Sequence, residues 1–201
     1  MTASKSKADK RERILAAAVE SFSRQGFYRT RIHDIAARAG VADGTVYLYY
    51  RNKEALLEAV FAEVMESFLE AAQAKARQPL PAPERLRQVL ALHLGALGRD
   101  RDLATVFQVE LRHSVRLMER YGQGHLRDYF RLIAGLLESG QAEGTVRPGL
   151  DARFAARCIF GMVDESVTAW VLHGQDRQLD ELAAPLMDFL LHGLAPAGSG
   201  V

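Results

Sequence analysis

Apolar residues recur at intervals of three and four positions through almost the whole chain, which is the spacing of one face of an α-helix. No stretch shows four or more clean alternations of polar and apolar residues bounded by turn residues, as a half-buried strand would. Glycine and proline interrupt the pattern at short intervals and mark the ends of the helices. The sequence therefore predicts an all-α fold.

Composition places the chain among ordinary globular proteins, with 48% apolar and 25% charged residues in 201. Charged residues break every apolar run before it reaches the length of a bilayer span, and the polar N-terminus shows no targeting signal. We therefore expect no membrane partner and a cytoplasmic location. The single cysteine, Cys158, excludes an internal disulfide and is predicted to be a small packed apolar residue.

Charge is distributed unevenly along the chain. Residues 1–53 hold 11 Lys and Arg against 5 Asp and Glu, a net charge of +6, whereas the remaining residues hold 15 against 20, a net charge of −5. A small basic region followed by a larger acidic one predicts that only the N-terminal part meets a polyanion such as nucleic acid. The alternative is that the charges are unevenly distributed over an ordinary solvated surface that binds no polyanion.

Three helices are predicted before residue 53. The first runs from Asp9 to Gln25, and the second follows Thr30, whose hydroxyl is predicted to cap it, and ends at Gly40. The third follows a tight turn and precedes Asn52, the predicted cap of a fourth helix. Helix, short turn and helix is the arrangement of a DNA-reading unit. Further helices are predicted near 83–97, 101–120, 123–142, 151–173 and 178–193.

The third helix has the properties of a recognition helix. Val46 can pack inward, which leaves small and hydroxyl-bearing residues on the outer face for base edges and phosphates. Basic residues and free amides at the starts of the second and fourth helices lie on the same side. The candidate DNA contacts are Arg31, His33, Gly44, Thr45, Tyr47, Tyr49 and Lys53. Packing within the protein is the alternative for the tyrosines.

The run TRIHDIAARAGVADGTVYLYYRNKEALLEAVF, residues 30–61, resembles the DNA-binding domain of the TetR family. The resemblance implies a TetR-like homodimer of about nine helices per chain that binds double-stranded operator DNA. We therefore divide the chain into a three-helix DNA-binding domain over 1–53 and a ligand-binding and dimerisation domain over 54–195. Residues 196–201 have no core-forming side chains and are predicted to form a flexible tail. The family's operator contacts fall on the seven candidate residues given above.

Two later segments, LATVFQVELRHSVRLMERY at 103–121 and IFGMVDESVTAWVLHGQDRQLDEL at 159–182, resemble the TetR-type FadR repressors. Those repressors control fatty-acid degradation genes and leave DNA when they bind long-chain acyl-coenzyme A. An apolar stripe for an acyl chain and arginines at i, i+4 for phosphates fit such a ligand. The candidate ligand-binding residues are Phe107, Leu111, Arg112, Val115, Arg116, Tyr129, Phe130, Ile133, Phe160, Val163, Val167 and Trp170.

Other functions stay open at this point. The apolar stripe could be ordinary core, with arginines facing water, and the ligand could be another hydrophobic compound such as a drug. The adjacent carboxylates Asp164 and Glu165 point about 100° apart on a helix, which favours hydrogen-bonded or interface groups over a metal or catalytic pair. A helical lipid carrier or acyl-CoA-processing enzyme would not explain the basic N-terminal region, and no catalytic residues, metal ligands or cofactor are predicted.

Overall fold

The computed structural model describes residues 2–110, 124–174 and 178–193, with side chains from residue 8 onward. Within these ranges it forms nine α-helices and no strand, as the all-α prediction requires. The helices are α1 (Thr2–Gln25), α2 (Ile32–Ala39), α3 (Asp43–Tyr49), α4 (Lys53–Ala76), α5 (Ala82–Gly98), α6 (Arg101–Thr105), α7 (His125–Glu143), α8 (Ala152–His173) and α9 (Ala183–His192). A π-helical turn, Val106–Glu110, follows α6, and a 3-10 turn, Leu179–Leu182, precedes α9.

Residue contacts divide the chain into two compact units. The N-terminal unit comprises Met1–Glu66 and Arg101–Gln123, and the C-terminal unit comprises Ser67–Asp100 and Gly124–Val201. The boundary between them lies inside α4, and α6 belongs to the N-terminal unit although it follows α5 in the chain. The division of function after Lys53 stays a prediction.

The N-terminal unit is built around the helix faces that the sequence pattern indicates. Ile14 and Phe22 of α1, Ile35 of α2, Val46 of α3 and Leu57 of α4 are completely buried and belong to one apolar core. Each such side chain contributes about 1.5–3 kcal/mol to stability when it leaves water. The short helices α2 and α3 are therefore held by packing, because two turns of helix are not stable alone.

Gly40 allows the chain to turn sharply between α2 and α3. Its φ is +65°, in the left-handed region where a side chain would be strained, and its amide donates to the carbonyls of Ala36 and Ala37 at the end of α2. An added Cβ would also lie 2.8 Å from a guanidinium nitrogen of Arg13, which hydrogen-bonds the Ala39 carbonyl. The predicted helix end at Gly40 is confirmed.

Other helix ends differ in part from the prediction. The Thr30 hydroxyl does not cap α2, because its Oγ1 lies 2.8 Å from the Gly26 carbonyl and 3.1 Å from the Ser21 carbonyl, where it closes the preceding loop. The α2 start is stabilised instead by Asp34, whose carboxylate accepts the Arg31 amide at 3.2 Å. The predicted Asn52 cap is confirmed, since its Oδ1 accepts the Ala55 amide at 2.8 Å. Helix α1 begins at Thr2, seven residues before the predicted start.

In the C-terminal unit, α5 packs against α7, α8, α9 and the 3-10 turn. Val89, Leu90 and Leu94 of α5 are completely buried, and so are Ile133 of α7 and Val163 and Val167 of α8, to within 1% exposure. No helix in the described ranges is long and apolar enough for a bilayer span.

Candidate functional site

Helix α3 presents an unusually exposed surface for a helix fixed to a core. Val46 is completely buried and anchors it, whereas Tyr47 is 55% exposed and Leu48 is 84% exposed. Gly44 is exposed, and Thr45 and Tyr49 are partly exposed. A helix with an anchored inner side and free outer side chains is suited to enter the major groove. Tyr50 behaves differently, because it is buried in the core after α3 ends.

The candidate residues on α2 lie beside the start of α3. His33 is exposed, and its Nδ1 lies 3.2 Å from both carboxylate oxygens of Asp43, the first residue of α3. Arg31 is exposed at the start of α2. The starts of the two helices are therefore joined by a surface contact.

Lys53 is held inside the N-terminal unit more firmly than the sequence suggested. Its Nζ donates to the carbonyls of Phe27 at 2.5 Å, Thr30 at 2.9 Å and Tyr28 at 3.2 Å, and lies 4.5 Å from the centre of the Phe27 ring. Burial lowers the pKa of Lys53, although the charge of Glu54 counteracts this. The ammonium thus fastens the α1–α2 loop to the start of α4, and phosphate binding by Lys53 stays a prediction.

Replacing Lys53 by methionine should lower the free energy of unfolding by about 1–3 kcal/mol, because partly buried carbonyls lose their donor. Urea denaturation measures the change. Lys75→Met, on the same helix, is the matched control and should change stability little, since its ammonium makes no hydrogen bond within the described residues. If both variants were equally stable, the ammonium would not be fastening the loop.

Gly44 offers a second test, because an added Cβ at this position would meet no atom within 4 Å. Gly44→Ala should therefore fold at least as stably as the original, since alanine favours a helix more than glycine does. Operator affinity should nevertheless fall if the helix backbone approaches DNA closely. Gly135→Ala, which also adds a methyl group to open space, should leave operator affinity unchanged. Thermal melting and fluorescence anisotropy check the two expectations.

The end of α1 and the loop that follows it are also held by residues distant in sequence. The Phe27 amide donates to Glu110 Oε2 at 2.6 Å, and the Ser23 hydroxyl donates to Asp102 Oδ1 at 2.7 Å. Phe107, a predicted ligand-binding residue, stacks on Phe61 with ring centres 5.2 Å apart. Helix α6 and its π-helical extension are therefore part of the same packed unit as α1 to α3. Glu110 could not be found from local sequence because 83 residues separate it from Phe27.

The other predicted ligand-binding residues that the structure describes lie in the C-terminal unit. Four are buried and three are partly exposed. The buried ones are Tyr129, Ile133, Val163 and Val167, and the partly exposed ones are Phe130, Phe160 and Trp170. The predictions for Leu111, Arg112, Val115 and Arg116 lie outside the described residues.

Three predicted residues belong to an aromatic cluster, defined here as Phe68, His93, Tyr129, Phe130 and Phe160. Ring centres in this cluster are 5.2–6.4 Å apart, and the rings come from α4, α5, α7 and α8. Sequence reasoning missed Phe68 and His93. The available signal was the position of His93 on an apolar helix face, three and four residues from Leu90 and Val89.

The cluster contains a polar pair. Nδ1 of His93 lies 3.0 Å from the Tyr129 hydroxyl oxygen. Burial lowers the pKa of His93 to about 4, although the Asp164 carboxylate counteracts this, so the imidazole is neutral at pH 7. Burial and the Asp164 charge both raise the pKa of Tyr129, which keeps its proton. The pair is therefore an uncharged hydrogen-bonding group among aromatic rings.

A separate apolar groove of about 400 Å³ lies in the C-terminal unit between the starts of α5 and α8, the loop before α8, and α9. Phe154, Met187 and Leu191 line it, and none of the predicted ligand-binding residues does. Cys158 also lines it and is exposed, so its prediction as a packed residue was wrong. Across the described ranges, no group of three His, Cys, Asp or Glu could hold a metal.

Two family models match consecutive parts of the chain. Residues 14–60 match the bacterial regulatory proteins of the tetR family, and residues 61–193 match the C-terminal region of the YsiA-like proteins. The fatty acid metabolism regulator protein of Bacillus subtilis (strain 168) is 37% identical over 190 residues, which cover 94% of this chain and 98% of that protein.

Solved structures agree with this assignment. A crystal structure of the transcriptional regulator FadR from Bacillus subtilis, in complex with stearoyl-CoA, matches with a TM-score of 0.87 and 36% identity over 92% of this chain and 99% of that one. The fatty acid degradation regulator FadR from Bacillus halodurans matches with a TM-score of 0.87 and 36% identity, over 92% and 96% of the two chains. The chain belongs to the TetR family of bacterial regulatory proteins and carries a C-terminal region of the YsiA-like type.

Proposed function

We propose that this chain is a transcriptional repressor of fatty-acid degradation genes, which long-chain acyl-CoA releases from operator DNA. The observation that carries the proposal is the match over nearly the full length to a FadR regulator whose crystal structure contains stearoyl-CoA. Because the match extends through both units, it supports the DNA-binding role and the effector role together. Such a repressor acts on DNA in the bacterial cytoplasm.

The DNA-binding role is assigned to the surface formed by α2, α3 and the start of α4. Thr45 would contact base edges, and Tyr47 and Tyr49 would donate to phosphate oxygens. Gly44 would admit the DNA backbone, and Arg31 and His33 would add positive charge and helix amides. The exposure of Tyr47 and the open space at Gly44 support this assignment.

A homodimer is the proposed functional unit. Phe154, Leu172, Phe189 and Leu191 on α8 and α9 are each at least 44% exposed in the single chain. Large apolar side chains on two neighbouring helices are typical of a surface that a second copy covers. A dimer would place two recognition helices on two half-sites one DNA turn or a multiple apart.

The effector role is assigned to an apolar site for the acyl chain and a basic site for the phosphates of coenzyme A. The aromatic cluster supports the first part, because it supplies apolar surface with a single neutral polar pair. Arg112 and Arg116 are proposed for the phosphates, since a guanidinium binds phosphate through two parallel hydrogen bonds.

Release would follow from a shift of α4 that alters the spacing of the two recognition helices in the dimer. The hydrogen bonds of Lys53 to the α1–α2 loop support this mechanism, because they connect the loop to the start of α4. A coupling of roughly 1–3 kcal/mol, typical of allosteric proteins, would lower operator affinity about 5- to 150-fold.

A gel shift with a palindromic DNA fragment from the protein's own promoter region tests the proposal. We expect the complex to form and to dissociate on addition of micromolar stearoyl-CoA, but not on addition of free coenzyme A. A complex that ignores acyl-CoA would retain the repressor and assign another hydrophobic effector. Failure to bind any such fragment would contradict the DNA-binding role.

A further inference from the structure

His93 occupies an unusual position for a histidine. It lies on the inner face of α5 between the buried Leu90 and Leu94, and its ring centre lies 5.6 Å from that of Phe68, 5.4 Å from that of Tyr129 and 6.3 Å from that of Phe160. These rings belong to three other helices. Although so enclosed, His93 retains part of its accessible surface. A ligand could contact the ring at this accessible part.

The direction of the hydrogen bond in the pair decides which imidazole nitrogen carries the hydrogen. Nδ1 of the neutral imidazole lies 3.0 Å from the Tyr129 hydroxyl oxygen, and a phenol that keeps its proton can donate to that nitrogen. In a neutral imidazole the other nitrogen then carries the hydrogen. Within the described part of the chain, the hydrogen bond found for the His93 ring is the one at Nδ1. With Tyr129 as the donor to Nδ1, His93 therefore offers one neutral donor, Nε2–H, to a ligand.

The surroundings define what such a donor can bind. An N–H group without an acceptor is costly among apolar rings, and a ligand oxygen would remove that cost. A carboxylate is disfavoured, because it would bring a second negative charge near Asp164, whose charge already acts on both His93 and Tyr129. A neutral carbonyl oxygen attached to an alkyl chain satisfies both conditions.

We propose that the Nε2–H of His93, held in this tautomer by Tyr129, donates a hydrogen bond to the acyl carbonyl oxygen of the effector and so selects a thioester over a free fatty acid. This inference rests on the proposed function, because it assigns one residue to one atom of the acyl-CoA. His93 becomes a specificity-determining residue, while the surrounding rings contact the alkyl chain.

Two ligands that differ only at the carbonyl test the assignment. Isothermal titration calorimetry on the full-length protein compares stearoyl-CoA with S-octadecyl-CoA, a thioether that has a methylene in place of the carbonyl. The original protein should bind the thioester about tenfold more tightly, which is the effect of one hydrogen bond in apolar surroundings. His93→Phe should bind both ligands equally. His93→Gln, which retains an N–H donor at similar reach, should preserve the preference.

The outcomes separate this inference from the function on which it rests. Equal binding of both ligands by the original protein would overturn the role of His93 and leave acyl-CoA sensing intact, and this comparison needs no variant. A preference that persists in folded His93→Phe would also overturn it. If neither ligand bound, the acyl-CoA effector itself would be wrong, and the inference would fall with it.

Discussion

Replacing Tyr47 by alanine is expected to lower operator affinity about 100-fold while the affinity for acyl-CoA and the oligomeric state stay unchanged. Tyr47 is 55% exposed whereas Val46 of the same helix is completely buried, so the substitution removes an outward side chain without opening the core. A hydrogen bond to a charged phosphate contributes about 1.5 kcal/mol or more, and a dimer loses it twice. The doubled loss of about 3 kcal/mol corresponds to roughly a hundredfold change in affinity.

Leu48→Ala is the matched control, because Leu48 is its neighbour on α3 and is even more exposed, at 84%. Its side chain cannot donate to a phosphate, so its removal should change operator affinity much less. Tyr47→Phe separates the hydroxyl from the ring and should reproduce most of the loss. Fluorescence anisotropy with labelled operator DNA measures all three variants. Unchanged affinity in Tyr47→Ala would show that α3 is not the recognition helix.

The double substitution Arg112→Ala and Arg116→Ala is expected to weaken acyl-CoA binding at least about 100-fold while binding of the free fatty acid stays nearly constant. The i, i+4 spacing places both guanidinium groups on one face of the predicted helix. Each charge-assisted hydrogen bond to phosphate contributes about 1.5–3 kcal/mol, and the free fatty acid has no phosphate to lose. Calorimetry with stearoyl-CoA and with stearate measures the two affinities.

Arg127 and Arg131 supply a control with the same spacing on α7. Their side chains are 55% and 67% exposed, and Arg131 pairs with Asp128 at 3.2 Å. Replacing both by alanine should leave binding of either ligand unchanged, because exposed surface pairs contribute little. If Arg112 and Arg116 were instead ordinary surface arginines, their double variant would behave like this control. Equal losses for both ligands would likewise rule out a phosphate-binding role.

Local sequence was sufficient to predict those features that depend on interactions between residues close together in the chain. The helix ends at Gly40 and the cap at Asn52 follow from turn conformation and a bond to a residue three positions away. The inward direction of Val46 follows from helical periodicity, and so does the outward direction of Tyr47. The resemblance of residues 30–61 to a known DNA-binding domain then assigned a role to this surface.

Local reasoning did not find partners that only the folded chain supplies. Thr30 was predicted to cap α2 because its hydroxyl precedes that helix, yet the hydroxyl bonds the carbonyls of Ser21 in α1 and of Gly26. Lys53 begins α4 as predicted, and it also donates to three carbonyls more than 20 residues earlier, which the local sequence did not indicate. Its predicted contact with phosphate stays a prediction.

The sequence by itself determined the helical class, most helix ends and the inner and outer faces of α3, because periodicity and capping act within a few residues. It also determined the family of the protein, through the resemblance of residues 30–61. Only the tertiary structure decided that Glu110 holds the Phe27 amide and that His93 and Tyr129 form a neutral pair within rings from four helices. Those contacts join residues 36 and 83 positions apart. Their geometry depends on how the helices pack, which no local pattern of residues specifies.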